Sequence, residues 1–257
     1  MFLKTNTPRS NEKRLLATMT NEPFMPVRLY YSIPNRAFVM VKFRKLKCMS
    51  DVPAEKCWQW LFKSEAESLV FAAGINAVPK ERRPIVLGRF RFPTETAMTL
   101  ETNSILRAIE GAKFFAARLG SKVVAMRCRL VNRCFAAEEG EPGELLKTLD
   151  RDVVVIDPRM SEETIKRELA GVQSQEDAER AIQESLSRRL ASKDDVPLVE
   201  DFPLAPEEET PEFVNLANAL QFRFLRAFEH WHGNTHLTLS QIIVRTVEDH
   251  LRTADAH

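Results

Sequence analysis

Glycine is scarce in this chain, with 8 residues among 257, against an ordinary usage of about 7%. No GxGxxG and no GxxxxGK[ST] occurs. A backbone that cradles nucleotide phosphates needs glycine where it approaches them, so the two best-known nucleotide loops are excluded. No GxSxG and no HExxH occurs either, which removes two common hydrolase signatures. No window reaches the roughly 18 to 20 consecutive apolar residues that would span a bilayer, and the first 24 residues lack a secretory apolar core. Cysteine is limited to Cys48, Cys57, Cys128 and Cys134, without CxxC pairing. Disulfide frameworks and zinc sites are denser than this. Reduced, buried thiols are therefore expected, and with them a cytoplasmic location with no membrane association.

Charge is present in quantity but unevenly placed. The net of +1 is a cancellation. Residues 1–135 carry 24 basic and 10 acidic side chains, a net of +14, whereas residues 136–212 carry 9 and 22, a net of −13. Acidic residues are missing altogether from Pro23 to Ser50. Such asymmetry anticipates a partner, or attraction between the two halves.

Periodicity predicts an α+β fold. Val27 to Ser32 and Ala37 to Phe43 read as a hairpin around Ile33-Pro34-Asn35-Arg36. A helix is expected from Asp51 through EKCWQWLFKSEAESLVF, on the spacing of Trp58, Leu61, Phe62 and Leu69. Ile85 to Phe92 and Ala97 to Glu101 read as strands, and Asn103 as the cap of a helix ending at Gly120. Lys122 to Phe135 makes a fifth strand, and Val153 to Ile156 a short edge strand. The result is an antiparallel-rich sheet of about five strands in ββα-ββα-β order, with helices on one face.

Four regions follow from this reading. Residues 1–25 form a flexible leader and 26–157 the sheet domain. Residues 158–210 hold an acidic helix near 175–190 and a Pro- and Glu-rich linker. Residues 211–257 form a helical hairpin whose apolar stripe docks on the sheet, its second helix opened by Thr238 and Gln241 in a capping box.

The candidate binding residues come from strand alternation, in which positions two apart share a face. Lys42 and Arg44, Arg89 and Arg91, and Arg127, Arg129 and Arg133 are expected to share one basic face. Val39, Val41 and Phe43, then Val86, Phe90 and Phe92, then Val124, Met126, Cys128 and Leu130 are expected to point inward. The basic face would take an acidic protein, nucleic-acid phosphates, or the chain's own acidic stretch folded back on it. Stacking aromatics are missing from it, which weakens a single-strand reading. The weak metal candidates are His230, His232 and His236, although the first two, spaced by two on a helix, do not face the same way. The run LTLSQIIVRTVEDHL lacks the net positive charge of a recognition helix. No catalytic residue and no cofactor is expected. The leading reading is a non-catalytic adaptor or regulatory subunit that binds a protein. The alternative is a nucleic-acid-binding accessory protein, and a third reading is an enzyme whose site is assembled from scattered residues.

Overall fold

A computed structural model describes residues 13–155, 196–204 and 214–254. It is an α+β structure with eight strands in the spatial order β2-β3-β4-β5-β1-β6-β8-β7, antiparallel except for the β7–β8 pair. The strands are β1 (Val27–Ser32), β2 (Met49–Val52), β3 (Cys57–Leu61), β4 (Val86–Arg91), β5 (Ala97–Thr102), β6 (Val124–Val131), β7 (Val154–Val155) and β8 (Val199–Pro203). Among the described residues the helices are α1 (Arg36–Phe43), α2 (Ile105–Leu119), α3 (Pro142–Leu146), α4 (Val214–Trp231) and α5 (Leu239–Ala254).

Two elements differ from expectation in kind. Ala37 to Phe43 is a helix, not a strand. Asn35 caps it, its Oδ1 accepting the Phe38 N–H at 2.8 Å. Val39 and Phe43 then fall one turn apart on the buried side, while Val41 is turned out and 51% exposed. The first half of the helix expected from Asp51 onward is instead part of the β2–β3 hairpin, which runs from Met49 to Leu61. Lys56, in the left-handed conformation (φ 51°), closes the turn by donating its N–H to Pro53 O. Here the alternation of Trp58 and Trp60 with Gln59 outweighs the looser helical spacing of the same residues, because both indoles meet one core.

That core lies between the sheet and helices α1, α2 and α4. Phe43 sits 4.9 Å from the Phe90 ring and 5.8 Å from Phe115, and Trp60 lies 5.3 Å from Phe115. Helix α2 crosses the sheet closely at Gly111, where a Cβ would meet Leu100 Cδ2 at 2.9 Å and the Trp60 ring at 3.0 Å. Its cap is Ser104 rather than Asn103: the Ser104 hydroxyl accepts the Arg107 N–H at 3.2 Å.

The strand in β6 carries a bulge. Tyr30 pairs with Arg127 but Tyr31 with Ala125, so the register slips at Met126. Simple alternation places Met126 inside. The extra residue instead puts Ala125 in the core and Met126 outside, 46% exposed.

Two segments expected to lie outside the fold belong to it. From Lys13 onward the leader is packed: Leu15 bridges to Ala136, and Thr20, Glu22 and Phe24 are buried. The buried Arg107 guanidinium donates to Thr20 Oγ1 at 2.7 Å and to Val86 O at 3.2 Å, with Glu22 Oε2 3.4 Å from its Nε. The linker region contributes β8, whose Glu200 and Asp201 are fully buried. The helix anticipated near 175–190 lies outside the described residues. In the hairpin, Thr238 donates its N–H to Gln241 Oε1 at 3.0 Å and its hydroxyl accepts the Gln241 N–H at 3.2 Å, which opens α5.

Helix α4 is tied to β8 by charge as well as by Leu216 and Leu220 in the core. Arg223 forms a two-pronged pair with Glu200, through Nε at 2.6 Å and through Nη2. Asn132 Nδ2 donates to the same carboxylate at 2.9 Å. Helix α3 departs from the one-sided helix layer. It leads into Leu149, which packs with Phe24, Val131 and Phe135 at one end of the opposite face.

Candidate binding surface

Strand register defines the open face of the sheet. One cross-strand row reads Gln59, Arg89, Glu101, Arg28, Arg129 and Asp201. The next reads Arg91, Thr99, Tyr30, Arg127 and Pro203. Arg89, Arg91, Arg127 and Arg129 therefore do share a face. Lys42 and Arg44 do not join them, because α1 is a helix on the other side of the sheet. The Lys42 ammonium donates to Leu119 O at 2.8 Å and so caps the last turn of α2. Arg133, beyond the end of β6, pairs with Glu139 and lies over the Phe135 ring.

This face is not a bare basic surface. Glu101 accepts Arg28 Nη2 at 2.6 Å and has Arg91 Nε at 3.8 Å. Asp201 Oδ2 lies 2.9 Å from Arg129 Nη2 and 3.3 Å from Arg127 Nη1. Asp150 adds a second partner for Arg28 at 2.8 Å, and Glu55 lies 3.5 Å from Arg89. Carboxylates of the acidic stretch, Asp150 and Asp201, thus neutralise part of the basic half by direct contact. Burial opposes the charge of Arg28, but Glu101, Tyr30 and Asp150 outweigh it and hold its guanidinium above the ordinary pKa.

Each buried carboxylate serves two arginines, one close and one stretched. The stretched ones, Arg91 and Arg127, keep 42% and 41% of their side chains exposed. Between them lies Tyr30, with the Arg127 guanidinium 4.0 Å from its ring centroid. The β6 bulge adds Met126 beside Arg127. Sequence reasoning passed over Tyr30, Arg28, Glu101 and Asp201. Alternation within VRLYYS was enough to turn Arg28 and Tyr30 outward, but nothing local marks Glu101 and Asp201 as their partners.

The histidines serve the α4–α5 turn. His230 Nε2 donates to Leu237 O at 2.7 Å, and His232 Nδ1 donates to Phe228 O at 2.8 Å. His236 is exposed. Among the described residues no three His, Cys, Asp or Glu side chains are grouped to hold a metal ion. All four thiols are buried. Burial pushes Cys134 up to about 12, and burial together with the Glu65 charge takes Cys48 to about 12. Such thiols stay protonated and poorly nucleophilic near neutrality.

No protein-family model, no curated protein and no solved structure matches this chain.

Proposed function

We propose that this protein is a non-catalytic binding protein, an adaptor or regulatory subunit, that engages a protein partner through the open sheet face around Tyr30. The carrying observation is the β6 bulge, which sets Met126 on the solvent side beside the Tyr30–Arg127 stack. Tyrosine, methionine and arginine are the residue types enriched in protein interfaces and their energetic centres. Arg91 and Arg127 supply two guanidiniums whose carboxylates are already shared, so each has capacity for an acidic group on the partner. The flanking Arg28–Glu101 and Arg129–Asp201 pairs hold the surrounding side chains in place.

The test is affinity capture from nuclease-treated native extract with the full chain, its Met126→Asp variant and an Arg91→Gln/Arg127→Gln variant. All three substitutions fall on substantially exposed side chains, so thermal midpoints are expected to stay near wild type. A partner retained by the wild type and lost by both variants supports the reading, provided the purified pair reproduces the difference by calorimetry. Equal retention by all three proteins overturns it.

A further inference from the structure

A group of cations without carboxylate partners lies on the opposite side of the sheet from the open face. Arg36, Arg44, Lys45 and Lys47 are exposed along α1 and the turn that follows it. The contact of Lys42 with Leu119 O brings the end of α2 alongside, with Arg118 and Lys122. Among the described residues none of these six forms an ion pair. The neighbouring carboxylate, Glu65, is turned onto the backbone: it accepts the Lys47 N–H at 3.1 Å and the Cys48 N–H at 3.0 Å. Burial opposes its charge, but the backbone N–H groups outweigh that and hold it below its usual pKa.

Helix stability does not account for Arg36 at the start of this ridge. Arg36 sits in the first turn of α1, where the helix dipole disfavours a cation, and no acidic residue occupies that turn. We infer that this ridge binds the phosphate backbone of a nucleic-acid duplex. Its composition separates it from the sheet face. Lysine is depleted in protein interfaces, whereas lysine and arginine without counter-charges are what phosphate contacts need. Phe38 and Phe92, the nearby aromatics, are covered by Lys42 and Arg36 at 4.8 and 5.4 Å. Between the cations lie Ala37 and Val41, which cannot stack on a base, so the site addresses backbone rather than single-strand bases.

The experiment is fluorescence anisotropy of the full chain with labelled 20-base-pair DNA and RNA duplexes, from 50 to 200 mM salt. Micromolar binding is expected at the low end. For DNA, log affinity should fall linearly in log salt with a slope of about −0.9 per phosphate contacted, near −5 if all six cations engage. Arg44→Gln/Lys45→Gln/Lys47→Gln should reduce the slope by about 2.7, and Arg36→Gln/Lys122→Gln by about 1.8, with unchanged thermal midpoints. Met126→Asp on the sheet face should leave both affinity and slope as they are. No binding of either duplex at 50 mM salt overturns the proposal, as does a slope that both glutamine variants leave intact. Polyglutamate bound as tightly as DNA, and lost in the same variants, also overturns it, in favour of an acidic protein.

Discussion

Replacing Glu200 with glutamine tests whether β8 and α4 are integral to the fold. Glu200 is buried in the sheet, and its Arg223 partner keeps only 14% of its side chain exposed. Glutamine preserves the shape and can still accept the Asn132 amide hydrogen, so the change removes charge and little else. The Arg223 guanidinium then stays in a poorly solvated site without its counter-ion. Breaking a buried pair in this way costs about 3 to 5 kcal/mol, a large share of the roughly 5 to 15 kcal/mol that stabilises a typical domain. With a urea m-value near 3 kcal/mol/M, the midpoint followed by far-UV circular dichroism should fall by roughly 1 to 1.7 M. Arg223→Met in the glutamine background removes the stranded charge while keeping an apolar stem over Phe202. It should restore much of the loss, because apolar replacement of a whole buried pair is often close to neutral. A loss under about 1 kcal/mol for Glu200→Gln, or a double variant no better than the single one, would refute the reasoning.

Two further outcomes are expected. Val41→Ala and Met126→Ala should each change stability by no more than about 0.5 kcal/mol, while Phe90→Ala, at a fully buried ring, should cost about 3 to 5 kcal/mol; chemical denaturation of the three variants checks both the α1 assignment and the bulge. The folded state holds the Cys134 proton up to about pH 12, whereas an unfolded thiol releases it near 8.5. The stability this contributes is complete below that value and is lost as pH rises toward 12, so the margin of wild type over Cys134→Ala should shrink above about pH 9. A margin independent of pH between 7 and 10.5 would contradict the buried, protonated thiol.

Segments whose pattern has one reading were legible from the sequence. Val27 to Ser32 and Ala97 to Thr102 alternate cleanly, and the apolar spacing of α2 fits only a helix. The Thr238–Gln241 box is local chemistry and needed no tertiary context. The ambiguous stretches went the other way. AFVMVKF suits either period, and the Asn35 cap together with the core around Phe43 selected the helix. CWQWLF also suits either, and a single pocket that takes both indoles selected the strand.

The candidate surfaces divide along the same line. Alternation alone put Arg89, Arg91, Arg127 and Arg129 on one face, since that requires only local backbone geometry. By itself the sequence also determined the α+β class, the buried thiols' apolar settings and the opposed charge of its two halves. Only the tertiary structure decided which of those charges meet. Asp201 reaches Arg127 and Arg129 from more than 70 residues away, and no periodicity encodes a contact at that separation. It also decided, through one extra residue in β6, that Met126 faces solvent, and through the Asn35 cap that Arg36 and Arg44 belong to the helix side and not to the open sheet face. A one-residue slip reverses every side chain beyond it, so the identity of a binding face depends on register, which is set by packing across the sheet.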